Sequence, residues 1–255
     1  MTNENIHHTE TRNIVIYGYT RHDLENVLKH FKEGLPDYIN LTFNTKSECT
    51  NIRLIGKSKG LELLRFNMNK YHRTLATLFK EELLATEDYT ISKVLGDKLL
   101  ENNLTVSSAE SCTGGNIAHK IVETSGSSAY FLGSVVSYSN EVKASVLGVN
   151  RTLIDRYGAV SRQVVEEMVN GVCKIMHTDC GIATSGIAGP HGGTPTKPVG
   201  TVWFAVKYGE KVVSEERYFK GDRHEVIESA TNHGMVMLLQ LLRNTYVAPE
   251  YAGDE

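Results

Sequence analysis

The spacing of apolar positions divides the chain into two stretches. Asn13 to Tyr17 alternates as a strand does, and Leu24, Val27, Leu28 and Phe31 then recur at helical spacing. Tyr38 to Phe43 and Asn51 to Ile55 predict two more strands. From Leu61 through Leu84 an apolar face of Leu63, Leu64, Met68, Tyr71, Leu75, Leu78 and Phe79 predicts a long helix. The result is a small strand-helix-strand-strand-helix unit ending near Thr86.

A helical pattern restarts over Asp88 to Leu100 and stops at Asn102-Asn103. Strands are predicted at Leu104 to Ala109 and Phe131 to Tyr138, with helices at Thr113 to Glu123 and Glu141 to Leu147. A helical pair follows, its longer member lined by Val165, Met168, Val169, Val172, Ile175 and Met176. Cys180 to Ile187 is a strand running into the glycine-rich loop Gly186 to Gly193. Gly200 to Lys207 and Val212 to Phe219 form an antiparallel pair, and Arg223 to Arg243 is the closing helix.

Alternating helices and strands predict an α/β fold, a three-layer α/β/α sandwich with a mixed sheet, preceded by a small α+β domain of KH-like or ferredoxin-like type. The expected division is 1–85, 86–246 and a flexible tail over 247–255. Sites in such sheets gather at strand ends where loops meet helix N-termini, here after Ala109, Tyr138 and Ile187.

With 255 residues and a net charge of -3, the chain has no basic block that would mark a nucleic acid or anionic membrane partner. The polar first twenty residues lack a signal-peptide pattern and no apolar run spans a bilayer, so a cytoplasmic protein is expected. Cys49, Cys112, Cys173 and Cys180 are too few for a disulfide framework and read as packing residues.

Three motif-like groupings lose their force on inspection. Gly56-Lys57-Ser58 lacks the first glycine of a P-loop, since Asn51 stands there. Gly56 to Gly60 is GXXXG where a KH clamp needs GXXG. Cys173, His177 and Cys180 have ligand-like spacing but no fourth partner, so neither metal nor cofactor is expected.

Chemistry concentrates in Ser107 to Lys143. Gly114 and Gly115 open a helix whose N-terminal amides are expected to face an anion or a developing oxyanion. Ser111, Thr113, Ser127, Ser128 and Tyr138 supply hydroxyls, and Lys143 follows closely. The grouping points to a hydroxyl nucleophile served by a lysine.

In order, AESCTGG at Ala109 to Gly115, GSS at Gly126 to Ser128 and YSNEVK at Tyr138 to Lys143 are followed by YGAVS at Tyr157 to Ser161. SGIAGPHGG at Ser185 to Gly193, KPVGTV at Lys197 to Val202 and GDR at Gly221 to Arg223 complete the series. Together they closely resemble the CinA C-terminal family over nearly all of residues 86–245. Residues 12–84 more weakly resemble the small domain that precedes this module in longer CinA proteins.

The resemblance implies an amidohydrolase that converts nicotinamide mononucleotide to nicotinate mononucleotide and ammonia in pyridine nucleotide recycling. It implies Ser128 as nucleophile, with Ser127 as the alternative, and Lys143 as base, the strand between them being read as returning the chain to one end of the sheet. Tyr138 would relay a proton or hold the amine, and Ser111 would hydrogen-bond the lysine or the substrate. For a lysine to act as base its pKa of about 10.4 must fall by roughly 3 units, through burial beside another cation.

Thr113, Gly114, Gly115 and Ser127 from the first stretch are candidate substrate-binding residues. Thr184, Ser185, Gly186, Gly192 and Gly193 from the glycine-rich loop join them, with Arg223 as a fork for phosphate oxygens. His191 stands where the family usually carries an acid. A homodimer is expected from the resemblance, and a catalytically silent nucleotide-binding or interaction module is the alternative to the enzyme.

Overall fold

The computed structural model describes residues 7–87 and 89–244, so Asp88 and the tail from Val247 fall outside the described residues. The chain separates into two compact units, Met1–Thr90 and Ile91–Glu255.

The first unit runs β1 (His8–Tyr17), α1 (Arg21–Glu33), β2 (Ile39–Lys46), β3 (Cys49–Ser58), α2 (Leu61–Leu78) and β4 (Leu83–Ala85). Its sheet has the order β2-β3-β1-β4 with every neighbouring pair antiparallel. That is the ferredoxin-like arrangement of a split βαβ pair. Ile14, Ile16, Ile52 and Leu54 on the central strands meet Leu24, Leu28, Leu64 and Met68 from the helices in one core.

The helix read from Leu61 to Leu84 stops at Leu78, and Leu83 and Leu84 instead enter β4 beside β1. No glycine or proline separates the two, so the apolar run carries no local mark of the boundary and sheet pairing decides it. Gly56 is a packing glycine, because a Cβ there would come within 2.7 Å of Leu64 Cδ1 and 2.8 Å of Met68 Sδ. Close approach of α2 to β3 explains the glycine without any ligand.

The second unit opens with α3 (Ile91–Glu101), β5 (Val106–Glu110) and α4 (Asn116–Val122). A short 3-10 turn over Ser127–Ala129 leads into β6 (Phe131–Val136), α5 (Asn140–Ser145), α6 (Arg151–Tyr157) and α7 (Arg162–Met176). Then come β7 (Cys180–Gly186), β8 (Thr201–Tyr208), β9 (Lys211–Tyr218) and α8 (Arg223–Leu242). The sheet order is β6-β5-β7-β8-β9, with β6, β5 and β7 parallel and the last two strands antiparallel.

Side chains alternate across β7, which fixes the three layers. Ala183 joins Val165, Met168, Val169 and Val172 of α7 in the core on one face. On the other, Ile182 lies against Gly234 of α8, where a Cβ would come within 3.1 Å of it. The unit is therefore the α/β/α sandwich with a mixed sheet. Among the described residues no helix is long and apolar enough to cross a membrane.

Candidate active site

Because β5, β6 and β7 run parallel, the loops that follow them emerge at one end of the sheet. Ser111 leaves β5 there, Ser137 and Tyr138 leave β6, and the glycine-rich loop leaves β7. They surround a cleft of about 280 Å³, at the small end of ligand sites. Ser111, Tyr138, Lys143, Ser185, Gly186, Gly192 and Arg223 all line it.

Lys143 is held at the bottom. Ser139 caps α5 by accepting from the Val142 amide, and the turn it starts aims the lysine inward. Lys143 is only 1% exposed, and its Nζ donates to the Ser111 hydroxyl at 3.1 Å and to the Ser137 carbonyl at 2.7 Å. Burial disfavours the charged amine and pulls its pKa down to about 8, against a smaller opposing effect of Cys112. The shift comes from burial, where the sequence reading invoked a second cation as well.

Four residues lining the cleft carry a hydroxyl or thiol, Ser111, Cys112, Tyr138 and Ser185. Ser185 is bonded to the Ala159 carbonyl and Tyr138 to Arg223, whereas Ser111 is bonded to Lys143. Burial pushes the Cys112 thiol up to about 12, so it stays protonated and unreactive at neutral pH. Ser111 is thus the hydroxyl that Lys143 can activate: with the amine neutral, the 3.1 Å contact reverses and the Ser111 O–H donates to nitrogen.

The start of α4 is already occupied by the protein itself. Gly114 and Gly115 do take left-handed conformations, with φ of 61° and 98°, which delays the helix from Thr113 to Asn116. The fully buried Glu110 then accepts from the amides of Gly115, Ile117 and Ala118 at 2.9, 3.0 and 2.9 Å. It also accepts from the Ser108 and Ser134 hydroxyls. A buried carboxylate fills the position expected for a substrate anion, so Gly114 and Gly115 do not line the cleft.

Thr113 and Thr184 are buried behind it. Their hydroxyls bond each other at 2.8 Å, and the Ser111 amide donates to the Thr184 carbonyl at 3.0 Å, which ties the loop after β5 to β7. They brace the loop that carries Ser111 and do not themselves line the cleft. Gly193 is likewise a packing residue, since a Cβ there would come within 2.8 Å of the Val199 nitrogen.

The far wall is held by three polar clasps. Ser185 Oγ donates to the Ala159 carbonyl at 2.8 Å, and Lys197 Nζ donates to the carbonyls of Tyr157 and Val160. Arg223, the first residue of α8, lies between Asp222 and Glu225, which form a capping box. Its guanidinium donates to the Gly189 carbonyl at 2.6 Å and to the Tyr138 hydroxyl at 3.2 Å. Tyr138, 63% exposed, therefore rests on the arginine at the rim and not on the lysine.

Ser127 and Ser128 are elsewhere. They precede β6, whose Phe131 end pairs with Val106 while its Val136 end pairs with Glu110. A strand of this length separates them from Ser111 by roughly 17 Å along the sheet. The hydroxyl beside Lys143 belongs to Ser111, which corrects the expectation of a Ser128–Lys143 or Ser127–Lys143 pair within one chain.

The reading also missed Cys112, Asn140, Ala159 and Val160, which line the cleft. All four sit inside the motifs quoted for the family resemblance, so position within a motif was their one signal. The Ser137 carbonyl had none, because every residue carries one. Among the described residues no three His, Cys, Asp or Glu side chains converge as metal ligands would.

Comparison with known proteins agrees with this architecture. The CinA C-terminal domain profile matches residues 88–242. A CinA-like protein of Flavobacterium psychrophilum is 36% identical over 92% of this chain and 56% of its own length. A putative competence-damage inducible protein of Clostridium beijerinckii is 46% identical over 64% of this chain and 40% of its own. The chain thus spans about half the length of the curated relatives it matches.

Among solved structures, the competence-damaged protein (CinA) superfamily protein of Escherichia coli is 32% identical with a TM-score of 0.58, covering 59% of this chain and 88% of that one. The competence/damage inducible protein CihA of Agrobacterium tumefaciens is 35% identical with a TM-score of 0.57, covering 62% of this chain and 99% of that one. Sequence, fold and the grouping of motif residues around one cleft agree: the chain belongs to the CinA family, through its C-terminal domain.

Proposed function

We propose that the chain is an amidohydrolase acting on the carboxamide of nicotinamide mononucleotide, with Ser111 as nucleophile and Lys143 as base. The observation that carries the reading is a buried lysine, its pKa lowered to about 8, 3.1 Å from a serine hydroxyl that faces a small cleft. The choice of nucleotide comes from the family resemblance. Arg223, which lines the same cleft as Ser111, suits the phosphate of such a substrate.

In this reading Ser111 Oγ attacks the carboxamide carbon while its proton passes to neutral Lys143. Collapse of the tetrahedral intermediate breaks the C–N bond, and the proton on Lys143 leaves with the amine as ammonia. Water then attacks the Ser111 ester, its proton again taken by Lys143, and the ester bond breaks to release nicotinate mononucleotide and restore the hydroxyl. One water is consumed and one ammonia formed per turnover. The Ser137 carbonyl holds the amine in line throughout.

Incubation of the purified chain with nicotinamide mononucleotide, followed by coupled detection of ammonia and chromatography of the product, tests the proposal. Equal amounts of ammonia and nicotinate mononucleotide are expected. Tight binding of the nucleotide with no ammonia would instead assign the cleft to a silent binding module.

A further inference from the structure

The cleft has a charge distribution that the Ser111–Lys143 chemistry leaves unused. No aspartate or glutamate is among the residues lining it, whereas Arg223 and His191 both are. Around them the amides of Ala188, Gly189, His191 and Gly192 find no acceptor among the described residues. Gly189 and Gly192 have φ of 84° and 96°, conformations in which successive N–H groups can turn toward one concavity. Arg223 fastens to the Gly189 carbonyl, two positions before His191, and both residues line the cleft.

We propose that His191 is a specificity residue of this cleft: together with Arg223 and the loop amides it receives the phosphate monoester of a nucleotide substrate. Ser111 and Lys143 take the carboxamide at the other end. The inference deepens the amidase reading and relies on it only for the identity of that other end. An imidazole has a ring N–H to donate in either protonation state, so the contact needs a donor and is strengthened by charge. Lys143 faces the same space from α5 but is committed to Ser111 and Ser137, and Tyr138 to Arg223. His191 is exposed and makes no hydrogen bond within the described protein, which leaves its donor available.

The test is calorimetric titration of the full chain, and of His191→Asp and His191→Gln, with nicotinamide mononucleotide and with the unphosphorylated riboside. The unsubstituted chain is expected to prefer the mononucleotide, and His191→Asp to reduce that preference by about tenfold or more, through the mononucleotide alone. His191→Gln, which keeps a donor, is expected to retain more of the preference than His191→Asp. An unchanged preference in His191→Asp, equal weakening toward both ligands, or no preference in the unsubstituted chain would overturn the assignment. Ammonia release is measured separately, so an intact preference without turnover defeats the amidase reading and leaves the role of His191 standing.

Discussion

Lys143 Nζ lies 3.1 Å from Ser111 Oγ, with the two residues brought together by the C-terminal ends of adjacent parallel strands. A base in that position works only when uncharged, and burial has lowered its pKa to about 8. Deamidation is therefore expected to increase as pH rises from 6.5, following a single ionisation near 8, and to level off above it. Initial ammonia release under saturating substrate measures this. A rate that is flat from pH 6.5 to 9 would exclude Lys143 as the base.

Ser111→Ala and Ser128→Ala separate the two serines directly. If Ser111 is the nucleophile, Ser111→Ala should lower kcat/KM by about 10⁴-fold or more, as removal of a covalent catalyst does in serine hydrolases. Ser128→Ala, at the opposite end of β6, should leave kcat within about twofold in a single chain. Both variants should fold, since Ser111 makes one side-chain bond within the cleft and Ser128 is exposed. Trapping an acyl-enzyme on the Ser111 peptide by mass spectrometry after acid quench gives an independent readout.

The expectation that Ser128 neighbours Lys143 fails for a simple topological reason. Gly126 to Ser128 and Lys143 are close in sequence, but one strand lies between them, and a single strand carries the chain to the opposite end of its sheet. Ser111 and Lys143 are farther apart in sequence, yet both follow C-terminal ends of parallel neighbours. The larger layout was readable because α7 keeps an unbroken stripe from Val165 to Val172, and β7 opens with Cys180, Gly181, Ile182 and Ala183, a run without a charged or polar side chain as suits a strand covered on both faces. Backbone groups were not readable: nothing distinguishes the Ser137 carbonyl or the amides that Glu110 caps. Glu110 itself stood in the AESCTGG motif, and its burial under α4 could be learned only from the fold.

Glu110 should be among the residues the second unit tolerates losing least. Its carboxylate accepts from three backbone amides and two hydroxyls with no exposure to solvent. Glu110→Ala leaves those amides without acceptors, and an unsatisfied buried donor costs roughly 1–3 kcal/mol each, so a loss of about 3 kcal/mol or more is expected. Glu110→Gln keeps one acceptor oxygen but turns an NH₂ toward the helix amides and should recover only part of the loss. The single tryptophan, Trp203 on β8, reports this unit's unfolding in urea. A transition unmoved by Glu110→Ala would show that the carboxylate does not hold the loop.

The buried amine also makes a prediction about stability with a definite sign. Lys143 has a folded pKa near 8 and an unfolded value near 10.4, so between those values the unfolded chain binds the extra proton and stability rises with pH. Below pH 8 both states are protonated and the full penalty applies, about 3 kcal/mol for this shift. Lys143→Met removes the penalty, so its stability relative to the parent should be most favourable at pH 7 and should fall as pH approaches 10. Loss of the bond to the Ser137 carbonyl adds a constant, pH-independent offset that leaves the slope intact. Urea unfolding of both proteins at pH 7, 8.5 and 10 checks it; parallel curves would mean that the amine is ionised and solvated in the folded state, and with that the basis for its role as a base would be lost.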